Sequence, residues 1–499
     1  MAFNSFKFLV FFPLVVLIYF IVPKKVRKVW LLIASYYFYM SWNAIYALLI
    51  AGSTVITYIS GFLLAKTNKE DTAKRKMIVA GSFIINLGIL VFFKYFDFLL
   101  DSLNGIIGIF NGGSISNPFS LLLPVGISFY TFQALGYTVD VYRGTIKAEK
   151  NFISYALFVS FFPQLVAGPI ERSGNLLKQI NKNSKLPLKK LFNYDNLVSG
   201  VSLMTWGMFQ KMVIADRVAI FVDGIFNNLQ ALGFVEGMLG AMAFSIQVYC
   251  DFAGYSNIAI GAARVMGFDL MENFNTPLFA RSISELWRRW HISLSTWFKD
   301  YVYIPLGGNR CSRPRKYFNI MVTFVASGLW HGANWTYVVW GGMHGLFQII
   351  GDLLTPVKKK VRAFFNVNEE VFSFKFGQLL ITYFLFCMSL IFFRANTIGD
   401  ACIYLKYMFT RFDFWSIFNE SLFTFGLDRV EANILFIGIF ALFIVDLLRY
   451  KKGYDFGDLL LTQNLWFRWV VLILLVVFCV TYGEYGMTFD SANFIYFQF

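Results

Sequence analysis

Twelve apolar runs punctuate the chain, at residues 8–22, 29–42, 45–65, 78–100, 121–139, 198–214, 234–249, 318–330, 335–350, 376–393, 434–448 and 469–482. No other feature restricts the fold as much, because a membrane-crossing helix needs roughly 20 apolar residues, with about 17 as the lower limit. The longer runs meet that length, and the shorter ones read as tilted, broken or re-entrant segments. With 57% hydrophobic and 20% aromatic residues and a mean hydropathy of +0.58, the chain lies outside the range of soluble domains. It is expected to be an all-α, polytopic membrane protein with about 12 transmembrane helices, supplemented by re-entrant and amphipathic interfacial helices.

A net charge of +15 would suit a nucleic-acid binder, but the placement of the basic residues points to the lipid bilayer instead. They fall in alternate loops: Lys24, Lys25, Arg27 and Lys28 after the first run, Lys66, Lys69, Lys74, Arg75 and Lys76 after the third, and Arg143, Lys147 and Lys150 after the fifth. The same side then collects the basic residues within 172–190, 281–316, 358–362 and 449–452. By the positive-inside rule this side is cytoplasmic. Residues 101–120 carry no basic residue and 396–431 only three, so both loops are expected outside. An even number of spans then puts the N- and C-termini outside as well. The first run reads as a retained span, since apart from Lys7 the positive charges follow it and no A-x-A site closes it. The five cysteines show no CxxC and no pairing pattern. They read as core thiols, with neither a metal site nor a disulfide framework.

Neither an internal repeat nor a low-complexity linker interrupts the sequence, so 1–499 reads as one membrane domain. Many secondary transporters are built from paired halves with broken helices at matching positions, and no such pairing is visible here. A non-enzymatic transporter or flippase is therefore the weakest of the function classes that remain. Unusual residues concentrate instead in the stretch 247–350.

Within it, "RSISELWRRWHISLSTWFKDYVYIPLGGNR" (281–310) predicts an amphipathic helix on the cytoplasmic boundary. Ser282 followed by Glu285 fits a capping box in which the glutamate reaches back to the N-cap. Leu286, Trp290, Leu294, Trp297 and Tyr301 then recur three and four apart, giving one apolar face, before Pro305, Gly307 and Gly308 end the helix. Such a helix can be a plain interfacial anchor with snorkelling arginines. Arg288, Arg289, Lys299 and Arg310 near one site would also suit the phosphates of a cytosolic donor, and His291 adjoins the apolar face.

The stretch "SGLWHGANWTYVVWGGMHG" (327–345) holds two of only three histidines, His331 and His344, in a run without Lys, Arg, Asp or Glu. His331 falls near a break, Gly332 to Asn334, between two membrane segments. An ionisable ring there is costly without a partner or a water-filled cavity, which makes it a candidate functional group. A neutral imidazole bonded between helices is the plain alternative. Upstream, Asp251, Tyr255, Ser256 and Asn257 form a polar patch directly after an apolar run, as a cavity wall would, and Asn334 is assigned to the same lining. The short segment 154–167 ends at Gly168 and Pro169 with basic loop on both sides. That fits a re-entrant hairpin, since irregular backbone at membrane depth must line protein or water.

These motifs, together with "FKYFDF" (93–98), "PVGISFYTFQALGYTVDVYRG" (124–144), "FFPQLVAGPIER" (161–172), "QVYCDFAGYSNIAIG" (247–261), "FFRA" (392–395) and the terminal "FIYFQF", resemble the membrane-bound O-acyltransferase family, and within it the bacterial alginate O-acetyltransferase-like branch. The likeness spans nearly the whole chain. It implies that the family's essential histidine falls on His331 and a second, upstream active-site position on His291. His344 does not match the catalytic position and reads as packing or support. Histidine suits the chemistry: a hydroxyl acceptor must lose its proton as it attacks a thioester carbonyl, and an imidazole with an ordinary pKa of about 6.5 is well placed to accept it near neutrality. The branch more often has Asp where this chain has Asn257, so a charge role does not carry over to that position.

The resemblance further implies a thin protein core whose cytoplasmic mouth and outward funnel meet near His331, in a bacterial inner (cytoplasmic) membrane. An acetyl group would be taken from a cytosolic donor, acetyl-CoA, with no tightly bound cofactor and no metal. It would pass outward to an exported or cell-wall polysaccharide, with a separate extracytoplasmic partner of the serine-hydrolase-like SGNH type completing the transfer. Transfer of D-alanine or another acyl group to a cell-envelope polymer is the nearest alternative, but "YIPLGGNR" (303–310) resembles the acetylating branch better. The tail 483–499, expected outside, ends in an aromatic hexapeptide that should not remain in water. One reading packs it into the membrane interface. The other rests on its resemblance to the C-terminal motif of the small membrane peptide of the D-alanylation system. On that reading Tyr496, helped by His331, carries the acetyl group as an aryl ester, since phenolate, with a pKa of about 10, leaves more easily than an alkoxide.

Overall fold

The computed structural model describes residues 1–110, 113–119 and 123–485, and every regular element among them is helical. Among the described residues, six stretches are long and apolar enough to cross a membrane: Ala44–Lys66, Thr72–Ile109, Tyr194–Phe226, Phe372–Arg394, Arg429–Lys452 and Leu465–Tyr482. Only 6% of the last and 17% of Arg429–Lys452 is buried against protein. Helices that are apolar all round yet so little covered need lipid as their solvent. The protein is therefore a multi-pass membrane protein.

In chain order the helices used below are α1 (Phe6–Ile21), α2 (Arg27–Met40), α3 (Ala44–Lys66), α4 (Thr72–Ile109), α5 (Ile127–Arg143), α6 (Phe152–Ser160), α7 (Ser173–Asn183), α8 (Tyr194–Phe226), α9 (Phe234–Val265), α10 (Ile283–Arg289), α11 (Ile292–Phe298), α12 (Arg313–His331), α13 (Trp335–Leu353) and α14 (Phe372–Arg394). The first part of the expected outer loop 101–120 is helical, because α4 continues through a π turn at Val91–Tyr95 as far as Ile109. The apolar residues Leu103, Ile106, Ile107 and Ile109 extend its lipid-compatible surface. Of the cysteines, Cys250, Cys387 and Cys479 are buried as expected of core thiols, whereas Cys402 is exposed and Cys311 half-buried.

The chain divides into two compact units. The first comprises Met1–Val201 and Ala259–Met271. Arg75 of α4 ties three elements in it, donating to Leu64 O on α3 and to Tyr142 O on α5, both at 2.8 Å. The segment expected to be re-entrant is α6 followed by the short helix Phe162–Leu165, with the break at Phe161. Backbone freed at that break needs local partners. Ser35 Oγ accepts from Phe162 N at 3.1 Å, and Gln133 and Gln164 both donate to Phe158 O, at 2.5 and 3.0 Å. Just beyond, the buried carboxylate of Glu171 accepts from Met271 N and, at 3.0 Å, from Asn175 Nδ2. Burial pushes its pKa up to about 7.

The second unit comprises Ser202–Ile258 and the residues from Glu272 onward. Inside it, Lys211 of α8 bridges two carboxylates, Asp216 at 2.7 Å and Asp251 of α9 at 2.6 Å, all three buried. A buried ammonium between two carboxylates resists removal of any one member, because the charges left behind lose their partner.

Candidate active site

Small residues set the geometry of the hairpin α12–α13. A Cβ on Gly328 would lie 2.2 Å from Tyr337 O, and one on Gly341 would lie 2.4 Å from Phe324 O, so neither position admits a side chain. Close backbone approach of this kind is how membrane helices pack without a hydrophobic driving force. The break expected at 332–334 is a tight turn. Gly332 is extended, and Asn334 caps α13 by accepting from Thr336 N at 3.0 Å while its Nδ2 donates to Asn396 O at 3.0 Å. Asn334 is thus a cap that ties the turn to the segment after α14.

His331, the last residue of α12, is brought by this turn against Trp340 of α13, ring centroids 5.1 Å apart and nearly perpendicular. Trp330 lies at 5.1 Å and Phe393, near the end of α14, at 5.3 Å. The fourth ring is His291, at 6.2 Å. The two histidines assigned to the site are therefore neighbours in space, and both are buried.

How His291 gets there departs from the sequence reading. A single amphipathic helix from Ser282 is expected, but the chain breaks at Trp290 and His291 into α10 and α11, and His291 has a left-handed backbone, φ 42°. That conformation is unfavourable for a residue with a Cβ and persists only where the surroundings enforce it. They do so through the main chain: Ile292 N donates to Asn273 O and Asn275 N to Arg289 O, both at 2.9 Å. The apolar stripe survives the break, with Leu286, Trp290, Leu294 and Trp297 all buried. Ser282 does cap α10 by accepting from Glu285 N, but the glutamate reaches back to Arg281 N instead of Ser282 N.

Asn273 fixes the ring as well as the backbone. Its Oδ1 lies 3.1 Å from His291 Nδ1 and accepts from Ser293 Oγ at 2.9 Å, while its Nδ2 donates to Ser256 Oγ at 3.1 Å. With the amide so oriented, His291 must donate from Nδ1, which puts the lone pair of the neutral ring on Nε2. Burial, with the His331 ring beside it, holds the His291 pKa well below the ordinary value, so the ring is neutral. Asn273 carries no motif signal in the sequence, and neither does its partner Ser293.

The other expected site residues distribute as follows. Asp251 lies in the Lys211 ion pair, and Tyr255 has that ammonium 5.8 Å from its ring centre. Ser256 supports Asn273, and Asn257 donates to Gln210 Oε1 at 2.7 Å. Arg289 bonds Glu285, Asn275 O and Thr276 Oγ1 and so braces the segment around Asn273. Arg288, Lys299 and Arg310 are exposed. His344 of α13 accepts from Trp287 Nε1 at Nδ1, 3.2 Å, and lies 3.0 Å from Ser389 Oγ at Nε2. Tyr496 lies outside the described residues.

A buried, neutral, oriented imidazole beside a second imidazole is an arrangement that can take and return a proton. Comparison with known proteins is consistent with that chemistry. Residues 145–393 match the model of the membrane-bound O-acyltransferase family. The chain is 39% identical over 421 residues to the probable alginate O-acetylase of Pseudomonas aeruginosa, covering 84% of this chain and 76% of the relative. It is 35% identical over 428 residues to the peptidoglycan O-acetyltransferase of Helicobacter pylori, covering 80% and 77%. Likeness to the teichoic acid D-alanyltransferase of Streptococcus thermophilus is lower, 30% over 266 residues, covering 50% and 61%.

Proposed function

Since the chain belongs to the membrane-bound O-acyltransferase family, we propose that this O-acyltransferase moves an acetyl group from cytosolic acetyl-CoA across the membrane for O-acetylation of an exported or cell-wall polysaccharide. The observation that carries the reading is the pair of buried imidazoles 6.2 Å apart, one of them held in a single tautomer by Asn273. His331 removes the proton of the attacking hydroxyl, the oxygen adds to the thioester carbonyl, and collapse of the adduct expels the thiolate, which recovers the proton. His291 orients the pair from the α10–α11 break. Arg288 on α10, Lys299 just after α11 and Arg310 in the loop before α12, all exposed, serve the phosphates of the donor, and Arg289 braces α10 against Asn275 and Thr276.

About 12 spans, with both termini outside the inner membrane of a bacterium, complete this reading: the α12–α13 hairpin and several shorter apolar helices join the six long ones. In this orientation the end of α14 faces outward. There a pocket of about 350 Å³, lined by Asn227, Asn228, Gln230, Arg394, Asn396 and Asp400, opens toward the extracytoplasmic side, where an SGNH-type partner would complete the transfer to the glycan. Tyr496 serves as the acyl relay, an assignment supported by the sequence resemblance of the tail. Trapping of acetyl on wild-type Tyr496, and its loss in Tyr496→Phe, is the expected result.

Purified protein supplied with labelled acetyl-CoA is expected to release CoA and place label on protein or glycan. Label from a D-alanyl donor, with none from acetyl-CoA, would favour the D-alanylating alternative, and transport without thioester cleavage would overturn acyl transfer altogether.

A further inference from the structure

Trp340 is buried to 2% exposure, and its indole Nε1–H has no hydrogen-bond partner among the described residues. Two other indoles do find one: Trp30 donates to Val15 O and Trp287 to His344. One turn before Trp340 on the same face of α13, Thr336 is buried to 1% exposure, and its hydroxyl also lacks a partner. Threonines in the other helices, among them Thr54, Thr57, Thr296, Thr323 and Thr382, return their hydroxyl to the carbonyl four residues back. Thr336 cannot follow them, because the residue four back is Gly332, in extended backbone ahead of the helix.

Buried donors left unsatisfied are rare and carry the full penalty of desolvation. Two on adjacent turns, next to an assigned general base, call for an acceptor that arrives only with substrate. An indole N–H is a donor alone and cannot shuttle a proton. In a reaction it can donate to an acceptor atom and so stabilise negative charge that develops there. In acyl transfer that atom is the thioester carbonyl oxygen. As the hydroxyl oxygen bonds to the carbonyl carbon, the C=O π pair moves onto this oxygen, and it returns when the C–S bond breaks. A donor aimed there binds the adduct better than the substrate.

We infer that Trp340 Nε1, with Thr336 Oγ one turn away, forms the oxyanion-stabilising donor pair for the acyl carbonyl at His331, an inference that rests on the acyl transfer proposed above.

The test uses the full chain in membranes with labelled acetyl-CoA, comparing wild type with Trp340→Phe and Thr336→Val. Trp340→Phe keeps an aromatic ring against His331 and removes the N–H. It is expected to lower kcat by ~10²–10³ while donor KM and Tm stay near the wild-type values. Thr336→Val, which keeps the shape, should lower kcat by a smaller factor and serves alone if Trp340→Phe does not fold. An active wild type with Trp340→Phe or Thr336→Val equally fast, or with a loss confined to KM or matched by a fall in Tm, would overturn the donor pair and leave the proposed function standing. A wild type that cleaves no acetyl-CoA would overturn both.

Discussion

His344 and His331 share one helical hairpin and are both enclosed by aromatic rings, but their surroundings differ. At His344, Trp287 donates to Nδ1 and Nε2 meets Ser389, whose own hydroxyl donates to Phe386 O at 2.7 Å. The chain of donors is directional, so the ring is neutral with its proton on Nε2. Accepting another at Nδ1 would break the Trp287 bond. His331 instead stands at a helix end beside a second imidazole, Trp340 and Phe393. Two histidines of one motif thus differ in setting: His344 knits α10, α13 and α14 together, and His331 is the one to which proton transfer is assigned in the proposed function.

The sharpest way to break this contrast is to remove His331. His331→Ala is expected to lower the acetylation rate by ~10²–10⁴ while folded protein is still recovered from the membrane. Wild-type acetate on the polysaccharide of cells expressing the variant normally would refute the assignment. His291→Ala should lose less, and Asn273→Ala less again, about 10–100-fold by analogy with residues that orient a metal-bound histidine. If His291→Ala were the only dead variant, the two roles exchange. His344→Leu should do the reverse of His331→Ala. It orphans Trp287 Nε1–H at a cost of about 1–3 kcal/mol, read as a lower Tm, while activity stays within about tenfold, roughly the rate equivalent of 1.4 kcal/mol.

The smallest effect lies outside the hairpin and serves as its control. Between the ordinary value of 4.5 and the folded value of about 7, Glu171 is protonated in the folded protein and ionised in the unfolded one. Stability from this group is therefore present at low pH and lost as pH rises through about 7. Glu171→Gln should flatten the dependence of Tm on pH across that window and leave the rate constants alone. An unchanged Tm profile would mean that Glu171 does not titrate there.

What the sequence made legible follows period and motif. Apolar runs marked the long lipid-facing helices, because spacing is a local property, and the family resemblance pointed to His291 and His331, whose rings the fold places 6.2 Å apart. The break at His291 was not legible. Leu286, Trp290, Leu294 and Trp297 keep helical spacing across it, and the left-handed backbone is imposed by main-chain bonds to residues 273–275, which lie elsewhere in sequence. Asn273, Trp287 and Ser389 were missed for the same reason: each acts through a contact at long sequence separation. Asp251 was singled out as a polar residue beside an apolar run, but its partner Lys211, forty residues earlier in an apolar helix, is known only from the fold.

The proton-transfer role proposed for His331 is most directly tested by chemical rescue. His331→Gly and His344→Gly, matched for folded protein, are assayed for CoA release from acetyl-CoA with and without added imidazole. If His331 is the base, imidazole restores part of the rate to His331→Gly in proportion to its concentration and does nothing for His344→Gly. Full activity of His331→Gly without imidazole, or rescue of His344→Gly in its place, would contradict the assignment.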